Sequence, residues 1–399
     1  MNSLPVSSRQ FVLWICLLVA TGCIEPFEPK IAASDSGYLV VDGAINSHGK
    51  SLIKLSHAVN LNQQTTAPVE SKAKVYIEQK NGGRYPLVEG PLGTYQSAAL
   101  AISAGQLVRL HFTTVGGKEY ASEYTPVNAT PEIDSVSWRT EAQGLQLYVN
   151  THDQVSERPY YRWSYDETWE FTSMVPSLLE FEPAADKNMP GKMIFRVKDI
   201  YHCWASENST AIKLGTTVKL GQNVISQQPL TLLPSNSVKL RYKYSILVRQ
   251  YALSAEEYSY WEALRKNTEN IGTLFDPLPT QLTGNVHNVA DASEPVIGFV
   301  GAQSVSEKRI FIRREQLPNN WNMLSGYEMC SPDTVPHLGD LHPTGDRELL
   351  TFFFSTGIPI PIKTFKLRPR SDTTYYVYST SDCLDCRKRG TDTRPSFWQ

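Results

Sequence analysis

The 399-residue sequence lacks most of what would announce a function. No basic block stands out, and 38 basic against 40 acidic residues leave a formal net charge of −2. Without a basic stripe, a nucleic-acid role has no electrostatic support. There is no GxSxG, HExxH or GxGxxG motif and no phosphate-cradling loop, which removes the common signatures of serine hydrolases, zinc proteases and nucleotide enzymes. Methionine is scarce at six residues, and cysteine is equally rare. Long apolar runs are missing too. Phe11–Ala20 has ten residues, where a membrane-spanning helix needs about 20.

That short run is informative because of what surrounds it. A polar Met1–Arg9 segment precedes it, and the small residues Ala20, Thr21 and Gly22 lead into Cys23. This is the layout of a secretory signal. The stretch "VATGC" resembles the lipobox of bacterial lipoproteins, although Ala20 stands where leucine is usual. The resemblance implies cleavage of residues 1–22 and acylation of Cys23. Lipoproteins of this kind carry three acyl chains, and two or more anchor a protein firmly. Residues 23–36 then read as a tether: Pro26 and Pro29 favour an extended chain. Glu25 and Glu28 resemble the acidic export signal of Bacteroidota surface lipoproteins. The expected location is the outer membrane, lipid-anchored and facing the cell exterior.

Four cysteines remain after Cys16 leaves with the signal and Cys23 is acylated: Cys203, Cys330, Cys383 and Cys386. An even number in an exported chain favours two disulfides, with the connectivity open. Zinc is the alternative, but one CxxC pair is present where zinc sites usually show two. Redox activity of "CLDC" would need a strand-to-helix setting, and the flanks read as a strand running into a loop.

The chain from Tyr38 onward alternates short strands with turns. "YLVVDGAI" and "KSLIKLS" flank "NSHG"; "KVYIEQK" and "RYPLVEG" flank "NGG"; "LVRLHFTTV" and "KEYASEY" flank "GG". Such hairpins at this spacing predict an antiparallel sandwich over 37–128. "TPVNATPEID" marks a boundary, and 129–399 reads as a larger β-rich domain. In "YYRWSYDETWEF", Tyr161, Trp163, Tyr165, Trp169 and Phe171 share one parity, and Arg162, Ser164, Asp166, Thr168 and Glu170 the other. That is a strand with an aromatic face, read as core, and a charged face. "SVKLRYKYSILVRQYAL" reads as one long strand and "PVIGFVGAQSVSEKRIFIRRE" as two. One helix is predicted over 254–272, opened by a Ser254/Glu257 capping box. Its inward face carries Tyr258, Trp261, Leu264, Thr268 and Ile271, and it ends at Gly272 before "LFDPLP".

These stretches, together with "GCIEPFEP", "HCW" and the terminal "CLDCRKRGTDTRPSFW", resemble a Bacteroidota outer-membrane lipoprotein family catalogued as domain of unknown function 4249. The resemblance implies an immunoglobulin-like or transthyretin-like first sandwich and no catalytic residues. It also implies a TonB-dependent outer-membrane transporter as the expected partner. No cofactor is expected. The densest metal-like set is His337, Asp340, His342 and Asp346 in "PHLGDLHPTGD"; a divalent ion could use such donors, but a polar surface loop is the reading the composition favours. His202 beside Cys203 reads as strand packing, since a catalytic dyad needs an orienting third group. The resulting expectation is a non-enzymatic binding or accessory lipoprotein. The alternatives are a surface hydrolase with a noncontiguous site and a structural envelope protein. The residues do not name a ligand.

Overall fold

The computed structural model describes residues 37–59, 66–153, 159–186, 189, 191–269, 282, 284–336, 345–366 and 374–399. The signal segment, Cys23, the tether, His337, Asp340 and His342 lie outside the described residues, as do Ile271, Gly272 and the helix exit.

The chain is mainly β, with one long helix. The first hairpins form as their turns dictate. Leu39–Asn46 pairs antiparallel with Leu52–His57, and Lys74–Gln79 with Arg84–Glu89. The "NGG" turn places Gly82 at φ +100°, a conformation that strongly favours a residue without Cβ. Inward-facing Val41, Ile53, Leu55, Ile77, Leu110 and Phe112 meet in one apolar cluster. The sheet around it has eleven strands, more than residues 37–128 supply. Val286–Asn288, and Val296–Ile297 and Ala302–Gln303 from the stretch expected as two later strands, hydrogen-bond into this first sheet. Val286, Val296, Val300 and Ala302 are buried in its core. The physical reason is that Leu39–Asn46 would otherwise be an open edge; the returning chain covers it in parallel.

The second sandwich stacks a three-stranded sheet, Ile133–Glu141, Gly144–His152 and Val224–Pro234, on a five-stranded one. The latter runs His202–Asn208, Tyr160–Thr172, Lys243–Ala252, Ser306–Arg313, with Lys213–Thr216 also paired to Tyr160–Thr172. Tyr161, Trp163 and Tyr165 point into the core with Leu145, Leu147, Tyr244 and Ile246. The aromatic parity does not continue unbroken: Glu167 and Thr168 are buried, Trp169 is half-buried, and Phe171 joins a separate small cluster around Cys203 and Cys386. Residues 237–242, expected as strand, instead hold a short 3₁₀ turn at Val238–Leu240, because Ser237 accepts from the Lys239 N–H and caps it.

The helix spans Ala255–Glu269 in the described residues. Its buried residues are Glu257 and Tyr260, whereas Tyr258, Trp261 and Leu264 are half-buried. The expected inward face is therefore rotated. The helix lies in the angle between the two sandwiches, so it contacts protein on two flanks. Tyr260 packs on Phe299 of the crossing chain at 5.6 Å, and Tyr258 on Tyr160 of the second sheet at 4.8 Å. A third region combines the Leu179–Glu182/Lys192–Phe195 hairpin with a small sheet of Asp333–Pro336, Tyr375–Thr380 and Pro359–Phe365. Helices Gly345–Phe354 and Ser381–Leu384 flank it. Asp346 falls in the first of these helices. Among the described residues, no helix is long and apolar enough to cross a membrane.

Candidate functional site

Two chain segments cross side by side between the sandwiches, residues 126–133 and 303–306. Asn128 N–H donates to Ala302 O at 2.8 Å, Ser304 N–H to Asn128 O at 3.0 Å and Ile133 N–H to Ser306 Oγ at 3.0 Å. This double crossing holds the first sheet beside the charged face of the five-stranded sheet and leaves a cleft of about 470 Å³ between them. One wall is Asp42–Asn46, Lys50 and Leu52 of the first sheet; the floor carries Arg162, Asp166, Arg249, Tyr251 and Glu307; Trp261 reaches in from the helix.

Period two explains the floor. With Tyr161, Trp163 and Tyr165 committed to the core, Arg162, Ser164 and Asp166 must face the other way. Pairing with Lys243–Ala252 sets Arg162 opposite Tyr251 and Ser164 opposite Arg249. Arg249 is saturated: its guanidinium contacts Asp166 at 2.6 Å and Glu307 at 2.8 Å, and these partners raise its pKa. Arg162 differs. Its guanidinium carbon is 4.4 Å from the Tyr251 ring centroid and 4.3 Å from that of Trp261. Its Nε is buried with no hydrogen-bond partner, and among the described residues no carboxylate forms an ion pair with it.

Behind Trp261 stands Glu257, fully buried. The capping box is half-formed: Glu257 N–H donates to Ser254 Oγ at 3.1 Å, but the carboxyl turns inward instead of back to the cap. Oε1 accepts from Trp261 Nε1 at 3.4 Å, and Oε2 has no partner. Burial pushes this carboxyl up to about 7, against the opposing pull of the Arg162 charge and the Trp261 hydrogen bond. Gly301 makes room for it: a Cβ there would lie 2.2 Å from Glu257 Oε2. Gln303, also fully buried, brings its side-chain amide to the Glu257 carboxyl at the same junction, where it too opposes the rise, without a hydrogen bond of good geometry.

Several charged groups elsewhere are paired with one another. A second depression of about 600 Å³, near Gly37, is lined by His57, Glu70, Lys118, Tyr120 and Glu294 among others. His57 pairs with Glu70 at 2.9 Å, Lys118 with Glu294 at 3.0 Å, and Tyr120 donates to Glu294 at 2.8 Å. Glu78 is held down to about 2, its burial outweighed by hydrogen bonds from Arg109, Arg84 and His111.

The four remaining cysteines form two disulfides, Cys203–Cys386 and Cys330–Cys383. The "CLDC" pair does follow a strand and enter a short helix, Ser381–Leu384, rather than a loop. Its two sulfurs are nonetheless bound to different partners, so they form no dithiol couple with each other. His202 bonds Asp199 at 3.2 Å on an exposed surface, away from Cys203, which is fully buried. Among the described residues no set of His, Cys, Asp and Glu could hold a metal ion. The cleft was legible in part: Arg162 and Asp166 stood on a recognised charged face. Tyr251, Arg249, Gln303 and Glu307 had no signal of their own, because pairing register alone brings them there.

The chain belongs to the family described as Domain of unknown function (DUF4249), which matches residues 24–309, well over half of the sequence. Both walls of the cleft fall within the match; Cys330, Cys383 and Cys386 lie beyond it. No curated protein matches the chain. Among solved structures, the Yersinia pseudotuberculosis adhesin InvE is 12% identical, over 54% of this chain and 54% of that one, with a TM-score of 0.13. This chain thus spans about half of that structure's length, and so low a superposition carries no argument.

Proposed function

We propose that this chain is a non-enzymatic lipoprotein of a Bacteroidota outer membrane. It is anchored through acylated Cys23, faces the exterior, holds a ligand between its two sandwiches and serves a TonB-dependent transporter. Lipidation and export rest on the Phe11–Ala20 run ending at "TGC" and on the acidic, proline-bearing tether. The single observation that carries the binding part is the cleft itself: a concave site between two sheets with a few polar groups converging on it, the usual anatomy of a ligand site. Its side chains favour holding over cutting. Asp166 and Glu307, which could have served as an acid–base pair, are both tied to Arg249, and that lowers the weight of a hydrolase. A lipid tether confines the protein beside integral membrane partners and raises their effective concentration, so a weak contact suffices.

The test is a tagged pull-down in mild detergent from native membranes, with Cys23→Ser alongside. The expected result is recovery of a transporter with the wild-type chain, and loss of both acyl labelling and membrane fractionation in the variant. Recovery of the protein alone, where known outer-membrane pairs co-purify, would reject the transporter.

A further inference from the structure

We propose that the cleft receives the single carboxylate of a small organic acid, and that Arg162 is its receptor; this rests on the reading of the cleft as a ligand site. Two arginines share the floor, and their surroundings separate their roles. Arg249 spends its charge on Asp166 and Glu307 and is part of the scaffold. Arg162 is gripped on its faces by Tyr251 and Trp261, yet no protein carboxylate pairs with it among the described residues.

The two ring contacts hold the guanidinium in place while its buried Nε has no partner in the protein and Arg162 lines the cleft, so its donors are available to a ligand. A planar fork of N–H donors matches a carboxylate in a bidentate pair. The fork is also pre-oriented, so less side-chain freedom is lost on binding. Lys50, on the opposite wall, adds a second cation. Asp42, Asp166 and Glu307 border the same space, so a compact polyanion would meet more repulsion than a monocarboxylate does. The apolar body of the ligand has surfaces to lie on: the Trp261 and Tyr251 rings, Ile45 and Leu52. The volume of about 470 Å³ suits a small molecule rather than a folded partner.

The experiment is a calorimetric titration of the full acylated chain in mild detergent. The probes are benzoate, hexanoate and N-acetylphenylalanine, each beside its own neutral amide, with inorganic phosphate as the compact anion. At least one acid should bind about tenfold or more tightly than its amide and than phosphate, the effect of one charge-assisted pair. Arg162→Gln should remove that preference. Arg162→Lys, which keeps the charge without the fork, should restore only part of it and serves if the glutamine variant does not fold. Equal binding of acid and amide, or full retention of the preference in either variant, would overturn the carboxylate assignment while leaving the cleft a ligand site. No binding by acids or amides at millimolar concentration would overturn both. The co-purification with a transporter is read separately and is expected to survive Arg162→Gln.

Discussion

The first sandwich buries one unbroken apolar cluster of twenty side chains and contains no covalent link. The third region and its seam with the five-stranded sheet, by contrast, divide their apolar residues into three clusters of four, four and three buried side chains. Both disulfides lie there, and Cys203–Cys386 ties the five-stranded sheet to the chain end across 183 residues. Phe195 and Phe352 remain about four-fifths exposed in the same region. The difference teaches what each region relies on. A long sheet packed on one large core removes enough apolar surface to hold by burial alone; small clusters do not, and chains in that situation are commonly cross-linked.

The sharpest way to break the comparison is to damage the uncross-linked core. Phe112 is fully buried and stacks on Tyr120 at 5.1 Å. Phe112→Ala should cost about 3–5 kcal/mol, with or without reductant, in a denaturant titration. A loss that reductant enlarges would show that the first sandwich leans on the staples after all.

Next in size is the staple itself. Cys386→Ser should cost about 2–5 kcal/mol, and proteolysis should begin after residue 309 while 39–126 stays protected. Early cleavage within 39–126 would contradict the division.

The junction between the two sandwiches is tested through Glu257. Burial raises its carboxyl from an ordinary 4.5 to about 7, so the folded chain keeps a proton that the unfolded chain has released. Its contribution is fully present below about 4.5 and is lost as pH rises through about 7. Glu257→Gln should therefore match wild type near the acid end and be more stable above pH 7, by roughly 3 kcal/mol. Melting curves of both proteins across this range check it; parallel pH profiles would refute it.

The smallest effect is expected at Trp261. It is only half-buried, so Trp261→Ala should cost roughly 1–2 kcal/mol, including its contact with the Arg162 cation. A loss as large as that of Phe112→Ala would mean that the junction is as rigid as the sandwich interior.

The residues alone determined the class of most segments, though not of Val238–Leu240 or Gly345–Phe354, which are a 3₁₀ turn and a helix that no local pattern marked. Alternation of apolar and polar side chains dictates strands, glycine-bearing turns dictate hairpins, and residues 161–166 of "YYRWSYDETWEF" must show one aromatic and one charged face. The same local rules marked the helix and its Ser254 cap. An even cysteine count pointed to two bridges, and four sulfurs pair as Cys203–Cys386 and Cys330–Cys383; which sulfur met which was a matter of three-dimensional proximity. Only the tertiary structure returned 286–303 to the first sheet, because edge pairing is a contact between segments far apart in sequence. That return carries the first sheet over the charged face, turns Glu257 from a capping residue into a buried carboxyl against Gly301, and sets Arg162 between Tyr251 and Trp261. Period and propensity fix which way a side chain points along its own strand; what lies opposite depends on long-range register, which no local pattern encodes.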